Sequence, residues 1–260
     1  MMRTRIAPTP SGFLHLGNAV NIAMVALLAR KHGGSIVLRV DDLDPQMVMA
    51  DAVEDIFATL RWLGVGDYEG PRTTADLVDH WSQRHRIALY RDIVHRLHDA
   101  GHLFACTCTR REIVMRQGTG EYDGHCLHAN LDLATSGAAW RLRHSVQGLP
   151  YPVIRTKAGL PSYQVASVAD DIYFGITHIV RGQDLEPSTR IQRRIALLLA
   201  PDHPFLDVTI YHHPLVTDVG GGKLSKSQGA MGVRERIAAG AGSDDVYAMA
   251  RTMLNHMTES

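Results

Sequence analysis

The stretch Arg5-Ile6-Ala7-Pro8-Thr9-Pro10-Ser11-Gly12-Phe13-Leu14-His15-Leu16-Gly17-Asn18 limits what this 260-residue chain can become more than any other. Thr4 to Ala7 reads as a short strand. Two prolines and a glycine then exclude helix, and His15-Leu16-Gly17-Asn18 opens an apolar run that predicts a helix to about Lys31. A strand feeding a helix through a tight turn aims backbone N–H groups and the positive end of the helix dipole at one spot. With a histidine at that entrance, the ligand expected there is a phosphate. The spacing fits neither the Gly-x-Gly-x-x-Gly dinucleotide pattern nor the Gly-x-x-x-x-Gly-Lys phosphate loop.

Downstream, strands and helices alternate. Ser35 to Val40 is a continuous apolar run, as in a buried parallel strand, and Asp41-Asp42-Leu43-Asp44-Pro45 sits at its carboxyl end, where open α/β sheets bind ligands. Asp44 is expected to cap a helix starting at Pro45 that buries Val48, Val53, Ile56, Leu60 and Leu63. A second helix is expected from Trp81 to Ala100, burying Ile87, Leu89, Ile93, Val94 and Leu97 and exposing its His and Arg residues. Leu103 to Cys108 reads as a strand, and Thr109-Arg110-Arg111-Glu112 as a capping box. A turn-rich segment with no obvious core follows, then strands at Ala139–Arg143 and Pro152–Thr156. Alternation resumes with a helix at Ser162–Ala169, a strand at Thr177–Arg181, a helix capped by Ser188 and a strand at Val208–Tyr211. The pattern predicts an α/β fold with a doubly wound, Rossmann-like parallel sheet. Residues 1–105 and 157–260 form its two halves, and 106–156 are an insertion.

Composition removes several classes. Lys+Arg and Asp+Glu both number 27, so no global positive field marks a nucleic-acid binder, and any RNA contact must come from a local patch. The apolar run from Ala19 to Ala29 is too short to span a bilayer, and a cytoplasmic protein is expected. In that setting cysteines are thiols or metal ligands. All three, Cys106, Cys108 and Cys126, fall in the insertion, which points to a structural tetrahedral zinc site. For its fourth ligand Tyr122, His125 and His128 are all near.

Lys223-Leu224-Ser225-Lys226-Ser227 follows three glycines, giving a basic loop with two ammonium groups for phosphates. In order, His15-Leu16-Gly17-Asn18 and this loop resemble the two signatures of class I aminoacyl-tRNA synthetases. The Arg5-x-Ala-Pro-x-Pro-x-Gly start, Tyr163-Gln164-Val165-Ala166-Ser167-Val168-Ala169-Asp170-Asp171 and His178-Ile179-Val180-Arg181-Gly182-Gln183-Asp184 resemble glutamyl-tRNA synthetases in particular.

The resemblance implies an ATP-dependent ligase in which a glutamate carboxylate attacks the α-phosphorus of ATP and pyrophosphate leaves, with Mg²⁺ accompanying the ATP. By position, His15, Gly17, Asn18, Lys223, Ser225 and Lys226 would bind ATP, with His15 and Lys226 catalytic. Arg5, Ala7, Thr9, Asp41, Tyr163 and Arg181 would hold the amino acid. Asn18 replaces a more familiar second histidine. Asp41 stands where the family has Glu and is one methylene shorter, so either the pocket compensates or the ligand is not ordinary glutamate. The Cys-x-Cys, Tyr, Cys spacing is similar to that of short paralogues in the family and implies Tyr122 as fourth zinc ligand. Those paralogues have no anticodon-binding domain and load glutamate onto queuosine of tRNA(Asp). The chain's early stop after the lysine loop is expected to match them, as a monomer. Same-chemistry ligation to a small molecule or carrier protein, and a non-catalytic binding role, are the alternatives.

Overall fold

The apolar run behind the first turn is a helix buried on every side. In the computed structural model, which describes residues 1–144, 151–216 and 232–258, the chain begins with β1 (Arg3–Ile6), α1 (Leu16–Lys31), β2 (Ser35–Leu38), α2 (Ala50–Trp62) and the single turn α3 (Thr74–Asp76). Then come α4 (Ile87–Asp99), β3 (Leu103–Cys106), α5 (Arg110–Gln117), β4 (Ala139–Leu142), β5 (Val153–Arg155) and α6 (Tyr163–Tyr173). The last described elements are β6 (His178–Gly182), α7 (Glu186–Leu199), β7 (Thr209–His213), α8 (Val233–Ala238) and α9 (Asp244–Thr258). These fall into two compact units, one of Met1–His85, Phe174–Leu185 and Val208–Ser260, the other of Arg86–Tyr173 and Glu186–Asp207.

In the first unit β1 pairs in parallel with β2, and β6 in parallel with β7. The Thr177 N–H donates to the Arg3 carbonyl (2.8 Å), setting β6 beside β1. The two pairs are separate two-stranded sheets that lie in the order β2-β1-β6-β7, and the change of direction between β1 and β6 is where parallel strands leave a crevice at their carboxyl ends. Ala19, Val20, Ile22, Ala23, Met24, Val25, Leu28 and Ala29 of α1 are all buried, the distribution of an interior helix. They share one core with Ile6, Leu38, Ile56, Leu60, Val180, Val246 and Ala250.

Tertiary hydrogen bonds move two of the expected helix starts. Asp44 caps only a short 3-10 turn, Pro45–Met47, through Gln46 N–H (3.0 Å). Val48 and Met49 are extended, because Met49 N–H donates to the Pro10 carbonyl (2.9 Å), and α2 begins at Ala50. The expected Trp81–Ala100 helix is broken at Ser82, where the chain turns extended and Gln83 N–H goes to the Asp42 carboxylate (2.8 Å). Leu89 is 41% exposed rather than buried, and Tyr90 is the fully buried residue of that turn.

The second unit carries an antiparallel sheet, β3-β4-β5, with Phe104 opposite Arg141 and Trp140 opposite Arg155. The β3 strand ends at Cys106. The turn-rich segment beyond it does have a core, a cluster of Phe104, Cys106, Cys108, Ile113, Tyr122 and Cys126. Ser188 lies inside α7 instead of capping it, and its hydroxyl accepts from the Gln164 amide (3.1 Å). Nor are all cations around α4 solvated. Arg86 is buried and grips the fully buried Asp170 through Nε (2.7 Å) and Nη2 (3.1 Å), and the Tyr90 hydroxyl donates to the same carboxylate (2.7 Å). Burial alone would weaken the guanidinium's hold on its proton, but the Asp170 hydrogen bonds and charge outweigh it and raise the Arg86 pKa.

A buried ion pair costs most when one partner is removed. Asp170→Asn is expected to lower stability by about 3–5 kcal/mol in urea unfolding, whereas the paired change Arg86→Met with Asp170→Leu should recover most of the loss. A single-variant loss below about 1 kcal/mol would show that the pair is not tightly desolvated.

Candidate functional site

Main-chain pairing continues past the ends of β1 and β2. Arg39 N–H donates to the Ile6 carbonyl and Asp41 N–H to the Pro8 carbonyl, both at 2.9 Å. The Ala7–Pro10 turn and the Arg39–Asp41 segment therefore run side by side at the carboxyl end of the sheet. Asp41 is 7% exposed and Arg39 2%. The Arg39 fork clamps the Asp41 carboxylate, Nε to Oδ1 at 2.6 Å and Nη2 to Oδ2 at 3.2 Å. Gln83 closes the arrangement: its amide donates to Asp41 (3.3 Å), its carbonyl accepts Leu43 N–H (3.1 Å), and its own N–H goes to Asp42. Arg5 on β1 and Arg181 on β6 are also buried, on the two strands that flank the switch point. Ala7 is half-buried and Thr9 exposed in the turn between them.

His15 and Asn18 cap α1 reciprocally. Asn18 N–H donates to His15 Nδ1 (3.3 Å) while His15 N–H donates to Asn18 Oδ1 (2.9 Å), a capping box built from His and Asn in place of Ser and Glu. An Nδ1 that accepts carries no proton, so the neutral ring bears its proton on Nε2. A Cβ at Gly17 would stand 3.0 Å from His15 Cε1 and 3.1 Å from Nδ1, so glycine there makes room for the ring. Asp55 on α2 accepts from Leu14 N–H (2.7 Å) and fixes the turn just before the cap.

Sequence reasoning missed several residues at this end of the unit. Asn21 of α1 donates to the Val180 carbonyl (3.2 Å) and meets His213 Nε2 at 3.1 Å. His213 Nδ1 faces the Pro214 carbonyl (2.8 Å), which needs a proton on Nδ1 and leaves Nε2 to accept from Asn21. Asn21, Arg39 and Gln83 thus tie α1, β2 and the segment before α4 to the carboxyl ends of the strands. Asn21 left a signal as a polar interruption of an apolar run and Arg39 as the residue that opens Arg39-Val40-Asp41-Asp42, whereas Gln83 left none.

In the second unit the Cys106, Cys108 and Cys126 sulfurs all lie within 4.8 Å of one another, with Cys108 Sγ 3.4 Å from Cys126 Sγ. The Tyr122 hydroxyl accepts from Cys126 N–H (2.8 Å). Burial, then hydrogen bonding to Cys126, pushes the Cys108 thiol up to about 11. Burial opposes ionisation of Cys126 as well, yet hydrogen bonds from Tyr122 and Cys108 hold its thiol below the usual value. Burial, followed by a hydrogen bond to Cys106, raises the Tyr122 phenol. Three sulfurs and one phenol oxygen converge, while His125 and His128 do not belong to this group among the described residues. Tetrahedral zinc needs sulfurs about 3.8 Å apart, and the cluster fits it.

Tyr163, the first residue of α6, is 38% exposed and lines a cleft of about 390 Å³ with Tyr122, Arg141, Ser162 and Gln164. Lys223, Ser225 and Lys226 lie outside the described residues.

Parallel strands with a capped helix at their carboxyl ends, together with a cysteine cluster in the second unit, make an α/β architecture with a candidate ligand site at the end of β1. The chain belongs to the glutamate- and glutamine-type class I tRNA synthetases: the catalytic-domain family "tRNA synthetases class I (E and Q)" matches residues 1–139 and 114–259. It is 36% identical to a glutamyl-Q tRNA(Asp) synthetase of Synechococcus sp. (strain CC9605), over 92% of this chain and 78% of that one. With a glutamyl-Q tRNA(Asp) synthetase of Cupriavidus metallidurans (strain CH34 / ATCC 43123) it shares 37%, over 88% and 78%. It is 29% identical to glutamate–tRNA ligase 1 of Nitrosococcus oceani, but spans only 54% of that protein. The fold is also that of a solved glutamate-tRNA synthetase from Elizabethkingia anophelis, with TM-score 0.71 and 21% identity over 94% of this chain and 58% of that one. Among the described residues no helix is long and apolar enough to cross a membrane.

The Gln83 contacts are selective enough to test. Gln83→Leu removes the acceptor for a buried N–H and should cost about 1–3 kcal/mol in urea unfolding. Gln83→Glu keeps that acceptor but sets a third carboxylate against Asp41 and Asp42, and should cost more at pH 8 than at pH 5. Equal losses at both pH values would contradict the charge crowding.

Proposed function

We propose that this protein activates glutamate with ATP as glutamyl-adenylate and transfers the glutamyl group to queuosine of tRNA(Asp). The observation that carries the reading is similarity: the chain is 36–37% identical to glutamyl-Q tRNA(Asp) synthetases over about nine-tenths of its residues, against 29% for glutamate–tRNA ligase 1.

In the first step a substrate carboxylate oxygen attacks the α-phosphorus, the bond to the bridging oxygen breaks, and pyrophosphate leaves. Such a displacement needs positioning and charge neutralisation. His15 would donate Nε2–H to a phosphate oxygen while Nδ1 keeps its cap, and the amino end of α1 would add its dipole. Lys223, Ser225 and Lys226 are assigned to the pyrophosphate side by their sequence pattern. Arg5 and Arg181 would pair with the carboxylates of glutamate, as planar forks suited to bidentate binding. Asp41 would receive the ammonium, and Ala7, Thr9 and Tyr163 would complete the amino-acid end. In the second step an acceptor hydroxyl attacks the activated carbonyl and AMP leaves.

The Arg39 and Gln83 contacts would hold the shorter Asp41 carboxylate in one orientation, ordered in advance for an ammonium. The converging donors of Cys106, Cys108, Cys126 and Tyr122 would hold Zn²⁺, which supplies a cross-link between the end of β3 and the Tyr122–Cys126 turn.

Pyrophosphate exchange over an amino-acid panel tests the first step, and acceptance of labelled glutamate by queuosine-containing tRNA(Asp) tests the second. Exchange with glutamate but no charging of that tRNA would redirect the second step to another acceptor; no exchange with any amino acid would sink the activation reading. Asp41→Glu is expected to lower the KM for glutamate, and a rise would mean that the pocket suits another ligand.

For the metal, the purified protein should contain one zinc per chain, and Cys126→Ala should lose it. A zinc-free wild type would remove this part of the proposal.

A further inference from the structure

The cysteine cluster is braced from outside by a side chain to which the zinc reading gives no role. Arg116, in the last turn of α5, directs Nη2 at Cys108 Sγ (3.4 Å). Its Nε donates to Asp123 Oδ2 at 3.0 Å, and Nη2 also reaches Asp123 Oδ1 at 3.5 Å. Asp123 is held in turn by the Gln117 amide and by His125 N–H, each at 3.1 Å. In sequence Asp123 lies between Tyr122 and Cys126. One guanidinium therefore spans the two chain segments that supply the cluster: Cys108 after β3 on one side, the Tyr122–Cys126 turn on the other.

We infer that Arg116 is a positioning residue for the metal site, orienting Cys108 Sγ and locking the two ligand-bearing segments together, with Asp123 fixing the guanidinium. The inference rests on the zinc reading above. Three thiolates around Zn²⁺ leave a net negative centre even with a neutral fourth ligand, and a centre of that sign is stabilised by a charged donor to sulfur. Arginine suits this place because one planar group reaches a sulfur and a carboxylate at once, which a lysine ammonium does less well. Outer partners of this kind commonly change metal affinity by about 10–100-fold when removed.

The test uses the full-length protein in zinc and cobalt forms. Arg116→Gln should release zinc to a chelator about 10–100-fold faster than wild type. The sulfur-to-cobalt charge-transfer band should move to lower energy, because a sulfur that loses a donated hydrogen bond gives up its electrons more easily. Arg116→Lys should fall between the two, and Asp123→Asn should loosen zinc while retaining the charge at residue 116. A variant that unfolds more easily but keeps the wild-type release rate and band position would overturn the inference, leaving Arg116 a merely structural role. If the wild type itself held no zinc and gave no band, the zinc reading would fall first, and this inference with it.

Discussion

The site in the first unit depends on α1 being immovable. A helix buried on every face cannot rotate or slide without exposing apolar side chains, and each that leaves the core costs about 1.5–3 kcal/mol. The amino end of such a helix is a fixed point. Asp55 holds the turn before it, the His15–Asn18 box closes its first N–H groups, and Asn21 ties its first turns to β6 and β7. The two asparagines of α1 thus lie near its amino end, where the strand order reverses, while its two cations, Arg30 and Lys31, lie exposed in the last turn. Apolar packing fixes the place, and a few hydrogen bonds fix the orientation.

The carboxylates at the end of β2 are governed by charge instead. Asp41 and Asp42 are both buried at the end of β2, where an ionised carboxylate is costly unless held by donors. Arg39, from the same strand end, and Gln83, from the segment before α4, supply those donors. Gln83 is placed by the interruption at Ser82, so the break that spoiled the expected long helix is what carries an amide to the carboxylates. The local irregularity and the site geometry have one cause.

What could be read from the chain divides along the same line. The strands β1, β2 and β6 and the helix α1 were legible because continuous apolar runs and Pro/Gly punctuation need no partner to be recognised. The start of α2 at Ala50, the break at Ser82 and the place of Ser188 inside α7 were not, because each is set by a residue distant in sequence: Pro10, Asp42 and Gln164. The buried Arg86–Asp170 pair was hidden for the same reason, since 84 residues separate its members. In the candidate site the residue types in the motifs were visible, whereas Gln83 and Asn21, which hold them, belong to no motif, and the clamp of Arg39 on Asp41 could not be read from their spacing. The expectation that the segment after β3 lacked a core failed because its core is made of cysteine and aromatic side chains with no periodic spacing.

That small core explains why the second unit gathers sulfur where it does. Phe104, Ile113 and Tyr122, with the partly buried Leu127, Leu131 and Tyr151 packed against them, form a small apolar core for so turn-rich a segment. Arg141 lies over the Tyr122 ring, 4.0 Å from its centroid, and adds an attraction specific in direction but modest in size. Ligand bonds to a shared ion would be stronger than either and would join residues that no hydrophobic contact could hold at so short a range. The same side chains would therefore serve as core and as ligands, a reading that accounts for the burial of the cluster, for the phenol beside the sulfurs and for a guanidinium on its outer face.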